Sequence, residues 1–364
     1  MPKRAGRGEG LREVQGLKAE LLRGCWYVAM PGGELAPGRT AVRVLLGDPV
    51  LMARRKNGSV FAINDICPHR GMPLHHGRFD GETVACIYHG WRYGADGTCA
   101  FIPSMMEDQK IDLAKIRTAA YACVEQQGLI WVYVARDGEA PSGAMARPPM
   151  MPLFGEHDRP KVHVEQIFPC SVDHAAFGLM DPGHIAFVHT SKWYRSEAGA
   201  VKPKEKSFAP SELGFRMLRH KVTAQNLIYR LLGRNVTTEI SYRLPGLRIE
   251  DVHGERNALV TVSALTPISD EETAFHQIIW ATPQWADLVT PIVRYVANVF
   301  VGQDRAIAEK QREGLVRAPK TMLINDVNTQ ARWWMRLKDE WVAAGNEGRD
   351  FVNPLKAATL RWKS

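Results

Sequence analysis

Four side chains that bind metals as thiolates or imidazoles stand in two short segments of this 364-residue chain. The first segment carries Cys67 and His69 and the second carries Cys86 and His89, with sixteen residues between His69 and Cys86. Two thiolates and two imidazoles are the ligands of a [2Fe–2S] cluster of Rieske type. In such a cluster histidines replace the cysteines on one iron and raise the reduction potential. The spacing therefore predicts a redox cluster.

A structural zinc site is the alternative, because zinc also binds two cysteines and two histidines. Zinc fingers and ribbons usually place like ligands close together, whereas each segment here supplies one ligand of each type. That arrangement favours two irons with unlike ligand pairs. His75 and His76 lie between the segments, and we interpret them as solvated loop residues rather than spare ligands.

A second run of polar side chains places Asp181, His184 and His189 in the spacing D-x2-H-x4-H. Two histidines, with a carboxylate supplied from elsewhere, form the facial triad that holds iron(II) and leaves positions open for O2. We expect Asp181 to cap a helix that begins at Pro182. Five residues rotate an ideal helix by about 500°, so the helix must kink or end between the histidines if both bind one metal. Taken alone, a helix cap with two buried histidines explains the run equally well.

Asp304 is the predicted third ligand of this second site. It lies in a long helical pattern over residues 286–315 and falls on the apolar stripe of that helix. The stripe consists of Val293, Val296, Ala297, Phe300, Ile307 and Leu315. A carboxylate that faces the core needs a partner, because an unpaired buried charge is costly. A metal ion is one such partner, and an arginine from another element is the alternative.

Apolar alternation predicts β-structure on both sides of a proline-rich stretch at residues 141–160. Residues 42–63 form a predicted hairpin with a turn at residues 56–58, so the first motif belongs to a small antiparallel unit. Later strands are predicted at residues 237–244, 258–268 and 273–281. We therefore predict four segments: a basic N-terminal tail or helix (1–24), a cluster domain (25–140), a linker (141–160) and a mononuclear-metal domain (161–364).

The composition is that of a soluble globular protein, with 45% apolar and 24% charged residues. We find no secretory signal and no charge-free apolar run of about 18 residues, so we expect no transmembrane span and a cytoplasmic location. The four cysteines outside the motifs are interpreted as buried thiols in a reducing compartment. The net charge of +8 is scattered, which argues against nucleic-acid binding. This basic surface either guides an acidic electron donor or serves solubility alone.

Together these motifs resemble those of the Rieske non-heme iron oxygenases. They are most similar to the terminal oxygenases of the phthalate dioxygenase, vanillate demethylase and dicamba monooxygenase branch. The resemblance covers the chain from about residue 25 to residue 315. It implies an α+β fold, with an N-terminal all-β Rieske [2Fe–2S] domain followed by a START-like helix-grip catalytic domain that contains an antiparallel sheet.

The resemblance also implies a role for each motif residue. One iron of the cluster would be bound by Cys67 and Cys86, the other iron by His69 and His89, and a mononuclear iron(II) by His184, His189 and Asp304. Asp181 would be the acid that bridges a mononuclear-iron histidine to a cluster histidine of the neighbouring subunit, which implies a homotrimer. Several relatives carry asparagine where this chain has Gly178, so any role of that asparagine is absent here.

The implied function is that of a terminal oxygenase component. It would take electrons from a separate ferredoxin or NAD(P)H-dependent reductase, because no G-x-G-x-x-G dinucleotide motif follows a predicted strand. It would use O2 to hydroxylate a hydrophobic aromatic or polycyclic substrate, by mono-oxygenation or oxidative demethylation. The alternatives are a dioxygenase that cis-dihydroxylates an aromatic ring and a Rieske electron-transfer protein that is not an enzyme.

Overall fold

A computed structural model describes residues 11–15, 20–136, 138–139, 147–189, 202–222, 232–283, 285–318 and 320–364. The chain divides into two compact units. The smaller unit is Arg23–Arg159, and the larger unit is Pro160–Ser364 together with the described residues up to Leu22. Residues 1–10 and 16–19 of the predicted N-terminal segment, and residues 141–146 of the predicted linker, lie outside the described residues.

The first strand of the chain, β1 (Leu11–Gln15), belongs to the larger unit. The smaller unit consists of three antiparallel sheets. Its strands are β2 Cys25–Pro31, β3 Thr40–Leu45, β4 Asp48–Arg54, β5 Val60–Asn64, β6 Arg78–Phe79, β7 Val84–Ala85, β8 Arg92–Tyr93, β9 Cys99–Phe101, β10 Ala120–Tyr121, β11 Cys123–Gln126 and β12 Leu129–Val134. The sheet orders are β10-β5-β4-β3, β11-β12-β2 and β6-β7-β8-β9. Short 3-10 turns cover Gly32–Glu34, Leu74–His76 and Leu113–Lys115.

The predicted hairpin is present as β4 and β5, which pair from Val50 with Asn64 to Arg54 with Val60. The structure adds a hairpin between β3 and β4 that the sequence analysis did not predict. Its two-residue turn places Leu46 at φ 54° and Gly47 at φ 86°. Positive φ at both turn residues matches the twist of paired strands, and the apolar side chain at residue 46 concealed the turn from the pattern.

The larger unit is dominated by an eight-stranded antiparallel sheet in the order β13-β19-β18-β17-β16-β15-β14-β21. Its strands are β13 Val162–Phe168, β14 Pro203–Ser211, β15 Gly214–Lys221, β16 Thr237–Arg243, β17 Leu247–His253, β18 Ala258–Pro267, β19 Thr273–Ala281 and β21 Ala358–Lys363, while β20 Lys320–Ile324 pairs with β1. The described helices are α1 Val172–Met180, α2 Ile185–Val188, α3 Ala286–Leu315 and α4 Thr329–Glu347. One all-β unit and one unit with a large antiparallel sheet and few described helices confirm the predicted α+β fold class.

Helix α3 has the bounds that the sequence predicted, and it packs against the edge strand β13. Ala297 and the partly buried Val293 contact Val162 and Val164. The predicted stripe omitted Val301 and Ala308, which are buried, and included Val296 and Ile307, which are only half-buried. Asp304 lies between the two buried positions that were missed, so it faces the interior as expected.

Two local predictions are wrong. Residues 11–15, predicted as tail or helix, form β1 because they pair antiparallel with β20 along their whole length. Asp181 does not cap a helix that begins at Pro182. It ends α1 instead, with its N–H bonded to the Phe177 carbonyl at 2.9 Å. Proline has no N–H to continue the helix, so α1 stops here.

No helix in the described part of the chain is both long and apolar enough to cross a membrane.

Candidate metal centres

Two loops of similar geometry hold the Cys and His residues of the smaller unit. In each loop, the N–H of a glycine four residues after the cysteine donates to the cysteine carbonyl at 2.9 Å, from Gly71 to Cys67 and from Gly90 to Cys86. Gly71 has φ 70° and Gly90 has φ 71°, which is the left-handed region that glycine adopts without strain. A Cβ at Gly90 would also lie 2.9 Å from Cγ of Pro103. Both loops therefore depend on glycine.

The two thiols face the core of the unit and the two imidazoles face outward. Cys67 and Cys86 are 2% and 4% exposed, whereas His69 is half-buried and His89 is exposed. The centroids of the two imidazole rings are 4.7 Å apart. Burial raises the pKa of the Cys86 thiol, and the neighbouring Cys67 adds to that effect. Buried thiols ionise beside a cation, so this donor set fits a cluster with thiolates on its inner iron and imidazoles on its outer iron.

Tyr93 and Trp91 contact two of the predicted ligands, Cys67 and His69, and neither was given a role from the sequence. The hydroxyl of Tyr93 lies 3.1 Å from Sγ of Cys67. Burial, and then the neighbouring Cys67, raise the pKa of Tyr93, so the phenol stays protonated and can donate to a thiolate. Trp91 stacks on His69 with ring centroids 4.2 Å apart and an angle of 4°. The signal that could have found both is their place within seven residues after Cys86.

In the larger unit, a short helix separates the two histidines of the second motif. His184 immediately precedes α2 and His189 immediately follows it. The helix thus ends before His189. An uninterrupted helix would point the two imidazoles in different directions, so this early end allows both to reach one metal. Their ring centroids are 5.3 Å apart.

Both imidazoles approach the carboxylate of Asp304 on α3. Oδ1 of Asp304 lies 3.6 Å from Nε2 of His184 and 3.4 Å from Nε2 of His189. The three ligand atoms all lie within 4.8 Å of one another. Within the described ranges, these histidines are the only basic groups within 4.0 Å of Asp304, which favours a metal partner over an arginine.

Burial sets the protonation of this group. It raises the pKa of Asp304 to about 7. It lowers the pKa of His189 to about 4, with a smaller opposing contribution from the hydrogen bond to Gln303. It also lowers the pKa of His184. Neutral imidazoles are the form that binds metals, and a cation would stabilise the buried carboxylate. The donor set is therefore suited to iron(II).

Each imidazole uses its Nδ1 atom in a hydrogen bond that fixes the tautomer. Nδ1–H of His184 donates to the backbone carbonyl of Asp181 at 2.7 Å. Nδ1–H of His189 donates to Oε1 of Gln303 at 3.0 Å. These bonds leave both Nε2 lone pairs directed toward Asp304, where a metal ion would bind.

Helix α3 supplies more of this centre than its carboxylate. Phe300 stacks on His189 with ring centroids 3.7 Å apart and an angle of 14°. Gln303 fixes the tautomer of the same histidine. Phe300 was predicted only as a member of the apolar stripe, and Gln303 was not identified from the sequence, although it directly precedes Asp304.

The carboxylate of Asp181 is half-buried and accepts a hydrogen bond from the N–H of Gly183 at 2.7 Å. Its backbone carbonyl, and not its carboxylate, contacts His184. Gly178 lies on α1, and a Cβ at that position would meet no described atom within 4 Å. The position therefore has open space beside it, where a larger side chain would fit.

Comparison with known proteins gives the same two-part description. Residues 25–121 match the Rieske [2Fe-2S] domain, and residues 178–342 match the vanillate O-demethylase oxygenase C-terminal domain. The toluene-4-sulfonate monooxygenase system iron-sulfur subunit of Comamonas testosteroni is 32% identical over 189 residues, 50% of each chain. Dicamba O-demethylase, oxygenase component, of Stenotrophomonas maltophilia is 31% identical over 46% of this chain and 48% of its own. The chain thus spans about half the length of these curated relatives.

A solved structure of dicamba monooxygenase bound to dicamba superposes with a TM-score of 0.71. It covers 91% of this chain and 99% of its own, at 20% identity, so it supports the fold alone. The fold and the two donor sets define an iron–sulfur protein with a second, mononuclear metal centre. The two matched domains, in this order on one chain, place it in the Rieske non-heme iron oxygenase family.

Replacing Tyr93 by phenylalanine removes the hydroxyl beside Cys67 without changing the ring. One hydrogen bond of about 1 kcal/mol to the reduced cluster corresponds to roughly 40 mV for a one-electron couple, so we expect the reduction potential to fall by about that amount. Redox titration followed by circular dichroism measures it. Tyr133→Phe, whose hydroxyl bonds to Glu139, is the matched control. An unchanged potential in Tyr93→Phe would exclude this hydrogen bond.

Replacing Gln303 by leucine keeps the volume but removes the acceptor that holds Nδ1–H of His189. Outer hydrogen-bond partners of metal ligands typically contribute 10- to 100-fold in affinity, so iron(II) should bind roughly 10- to 100-fold more weakly. Anaerobic titration against a chelator measures the dissociation constant. Gln311→Leu, an exposed position on the same helix, should bind iron normally. Equal affinities in both variants would contradict a role for Gln303.

Proposed function

We propose that this chain is a terminal oxygenase component that uses O2, and electrons from a separate ferredoxin or reductase, to hydroxylate a hydrophobic aromatic or polycyclic substrate. The reaction is mono-oxygenation or oxidative demethylation. In this proposal residues 25–140 form the cluster domain and residues 161–364 form the catalytic domain. Cys67, Cys86, His69 and His89 bind the [2Fe–2S] cluster, and His184, His189 and Asp304 bind iron(II).

One observation carries the proposal: His184, His189 and Asp304 converge in a chain whose first motif also holds two buried thiols and two imidazole rings with centroids 4.7 Å apart. Iron held by two imidazoles and one carboxylate keeps positions open for O2 and for activation of a C–H bond or ring. The chain's own residues orient the donors. The Asp181 carbonyl and Gln303 fix the tautomers, and Phe300 holds the ring of His189. A protein that only transferred electrons would not need this second donor set.

The substrate class is supported by the relatives and by a charged pair on β17. The names of the relatives include the aromatic compounds toluene-4-sulfonate and phthalate and the polycyclic compounds chlorophyllide a and 4beta-methylsterol. Arg248 and Glu250 form an ion pair at 2.9 Å, and their side chains are 20% and 15% exposed. Arg248 lies close enough to His184 to contribute to its lowered pKa, after burial and the opposing effect of Asp181. The pair places hydrogen-bond donors and acceptors near His184, which supports a substrate that carries a polar substituent.

Exposed apolar side chains beside each donor set support a homotrimer. Ile87 and Tyr88, next to His89, are 64% and 54% exposed. Ile185 and Phe187, between His184 and His189, are 44% and 71% exposed. Large exposed apolar side chains mark interaction surfaces, and in the proposed trimer they would be covered. We propose Asp181 as the acid that bridges the two donor sets between subunits. The four cysteines outside the cluster motif form no disulfide, which supports a reducing, cytoplasmic location.

An aromatic-ring dioxygenase is the second candidate, because the relatives include 3-chlorobenzoate-3,4-dioxygenase and phthalate 4,5-dioxygenase oxygenase subunits. Both candidates share the donor sets and differ in the number of oxygen atoms that enter the product.

Incorporation of labelled oxygen tests the activity and separates the two candidates. Cluster- and iron-loaded protein, reduced by NADH through a surrogate ferredoxin reductase, is incubated with 18O2 and a panel of methoxylated, sulfonated and polycyclic aromatic compounds. Mass spectrometry should show one labelled atom in a hydroxylated product, or, from a methoxylated compound, an unlabelled phenol together with one equivalent of formaldehyde that takes the inserted atom, and neither product with His184→Ala. Two labelled atoms in a diol would establish the dioxygenase. A cluster that is reduced and reoxidised, with neither a labelled product nor formaldehyde from any compound, would favour the electron carrier.

Asp181→Asn tests the bridging role. Asparagine still accepts the Gly183 N–H, so the loop is preserved while the charge is lost. We expect cluster and iron contents to stay unchanged and turnover to fall roughly 10- to 100-fold. Asp158→Asn, where Asp158 accepts the Gly155 N–H at 2.7 Å in an exposed loop, is the control. Loss of iron from Asp181→Asn, or full turnover, would refute the bridging role.

A further inference from the structure

A second group of metal-binding side chains in the larger unit lies outside the centre formed by Asp304. His163 and Glu165 are two residues apart on β13, so they project from the same face of the sheet. His276 on β19 is the direct antiparallel partner of Glu165. The three side chains therefore converge above one face of the sheet, because two of them alternate along β13 and the third lies directly opposite on β19.

The distances within this group match those of a coordinated ion. Nε2 of His163 lies 3.1 Å from Nδ1 of His276, and Nδ1 of His276 lies 3.7 Å from Oε2 of Glu165. The three ligand atoms lie within 4.8 Å of one another. A tetrahedral zinc ion with bonds of about 2.0–2.1 Å separates its ligand atoms by about 3.3–3.4 Å, between the two observed distances. Small side-chain shifts would therefore admit the ion.

This group is on the opposite face of β13 from the helix that carries Asp304. His163 and Glu165 alternate with Val162 and Val164, which pack against Ala297 of α3. The His276 side chain is 1% exposed and the Glu165 side chain is 26% exposed. A buried imidazole and a partly accessible carboxylate give an ion a route of entry from solvent.

We propose that His163, Glu165 and His276 bind a divalent cation of zinc type, distinct from the mononuclear iron. Two imidazoles and one carboxylate are a known zinc donor set that leaves a fourth position for water. The ion would cross-link the edge strand β13 to β19. Since α3 packs on β13, the ion would stabilise the strand that supports the helix of Asp304.

Zinc binding by a set of variants tests the proposal independently of the oxygenase activity. Cluster-loaded protein with His184→Ala, which lacks one ligand of the iron centre, is dialysed against Zn2+ and then against buffer with a weak chelator. Elemental analysis should find one zinc per chain. Adding His163→Ala should reduce the zinc content to near zero, whereas adding His157→Ala, an exposed loop histidine, should leave it unchanged. Glu165→Gln, which keeps the shape, should bind zinc at least 10-fold more weakly.

Thermal unfolding gives a second readout. Zn2+ should raise the melting temperature of the His184→Ala protein but not that of the protein with both His184→Ala and His163→Ala, because a ligand that binds only the folded state stabilises it. Equal zinc contents with and without His163→Ala, or no zinc in either, would overturn the proposal and show that His163 and His276 are only hydrogen-bonded to each other. Neither result bears on the iron at His184.

Discussion

The larger unit depends on a carboxylate that faces the interior of the protein beside two imidazoles. Burial raises the pKa of Asp304 to about 7 and lowers that of His189 to about 4, so the carboxyl resists ionisation unless a cation binds beside it, while the imidazole is in the neutral form that binds a metal. The surrounding elements are arranged around this constraint. Helix α2 is short enough to leave a histidine at each end, and α3 contributes a stacking ring and an amide that orient His189. Removing the contact of Phe300 or Gln303 with His189 would therefore affect a predicted metal ligand directly, and not only the packing around it.

The smaller unit meets the same constraint with different chemistry. Its thiols are core residues, packed with Leu51, Ile63 and Tyr93, and burial raises the pKa of Cys86. Two loops of matching hydrogen-bond pattern, each with a glycine in the left-handed region, carry one thiol and one imidazole each, and the centroids of the two imidazole rings lie 4.7 Å apart. The donor sets thus differ in accessibility as well as in type. His89 is exposed and His69 is half-buried, whereas His189 is 4% exposed.

The fold was predictable where periodicity or spacing is strong, and less so where tertiary contacts decide. Helix α3 and strands β16, β18 and β19 lie within one residue of their predicted bounds, because their apolar patterns are long and regular. Strand β1 was missed because its pairing with β20 joins residues more than 300 positions apart. The prediction of a helix that begins at Pro182 was wrong because α1, capped by Ser171, reaches Met180 and ends at Asp181.

The D-x2-H-x4-H motif and the apolar stripe of α3 were enough to predict that His184, His189 and Asp304 converge. The contacts of Gln303 and Tyr93 depend on side-chain geometry, which only the structure gives. The roles assigned to the ligand residues, and the domain limits, stay predictions.

The central claim is that one chain holds two kinds of iron on two separate donor sets. Iron and sulfide analysis, with electron paramagnetic resonance, on anaerobically purified wild-type protein and His184→Ala tests it most directly. The account predicts a reduced Rieske-type signal in both proteins and one iron fewer per chain in the variant. It also predicts that nitric oxide generates the signal of a mononuclear iron–nitrosyl in the wild type only. Equal iron contents without an iron–nitrosyl signal in either protein, or a colourless protein that holds zinc alone after growth with iron, would contradict the account.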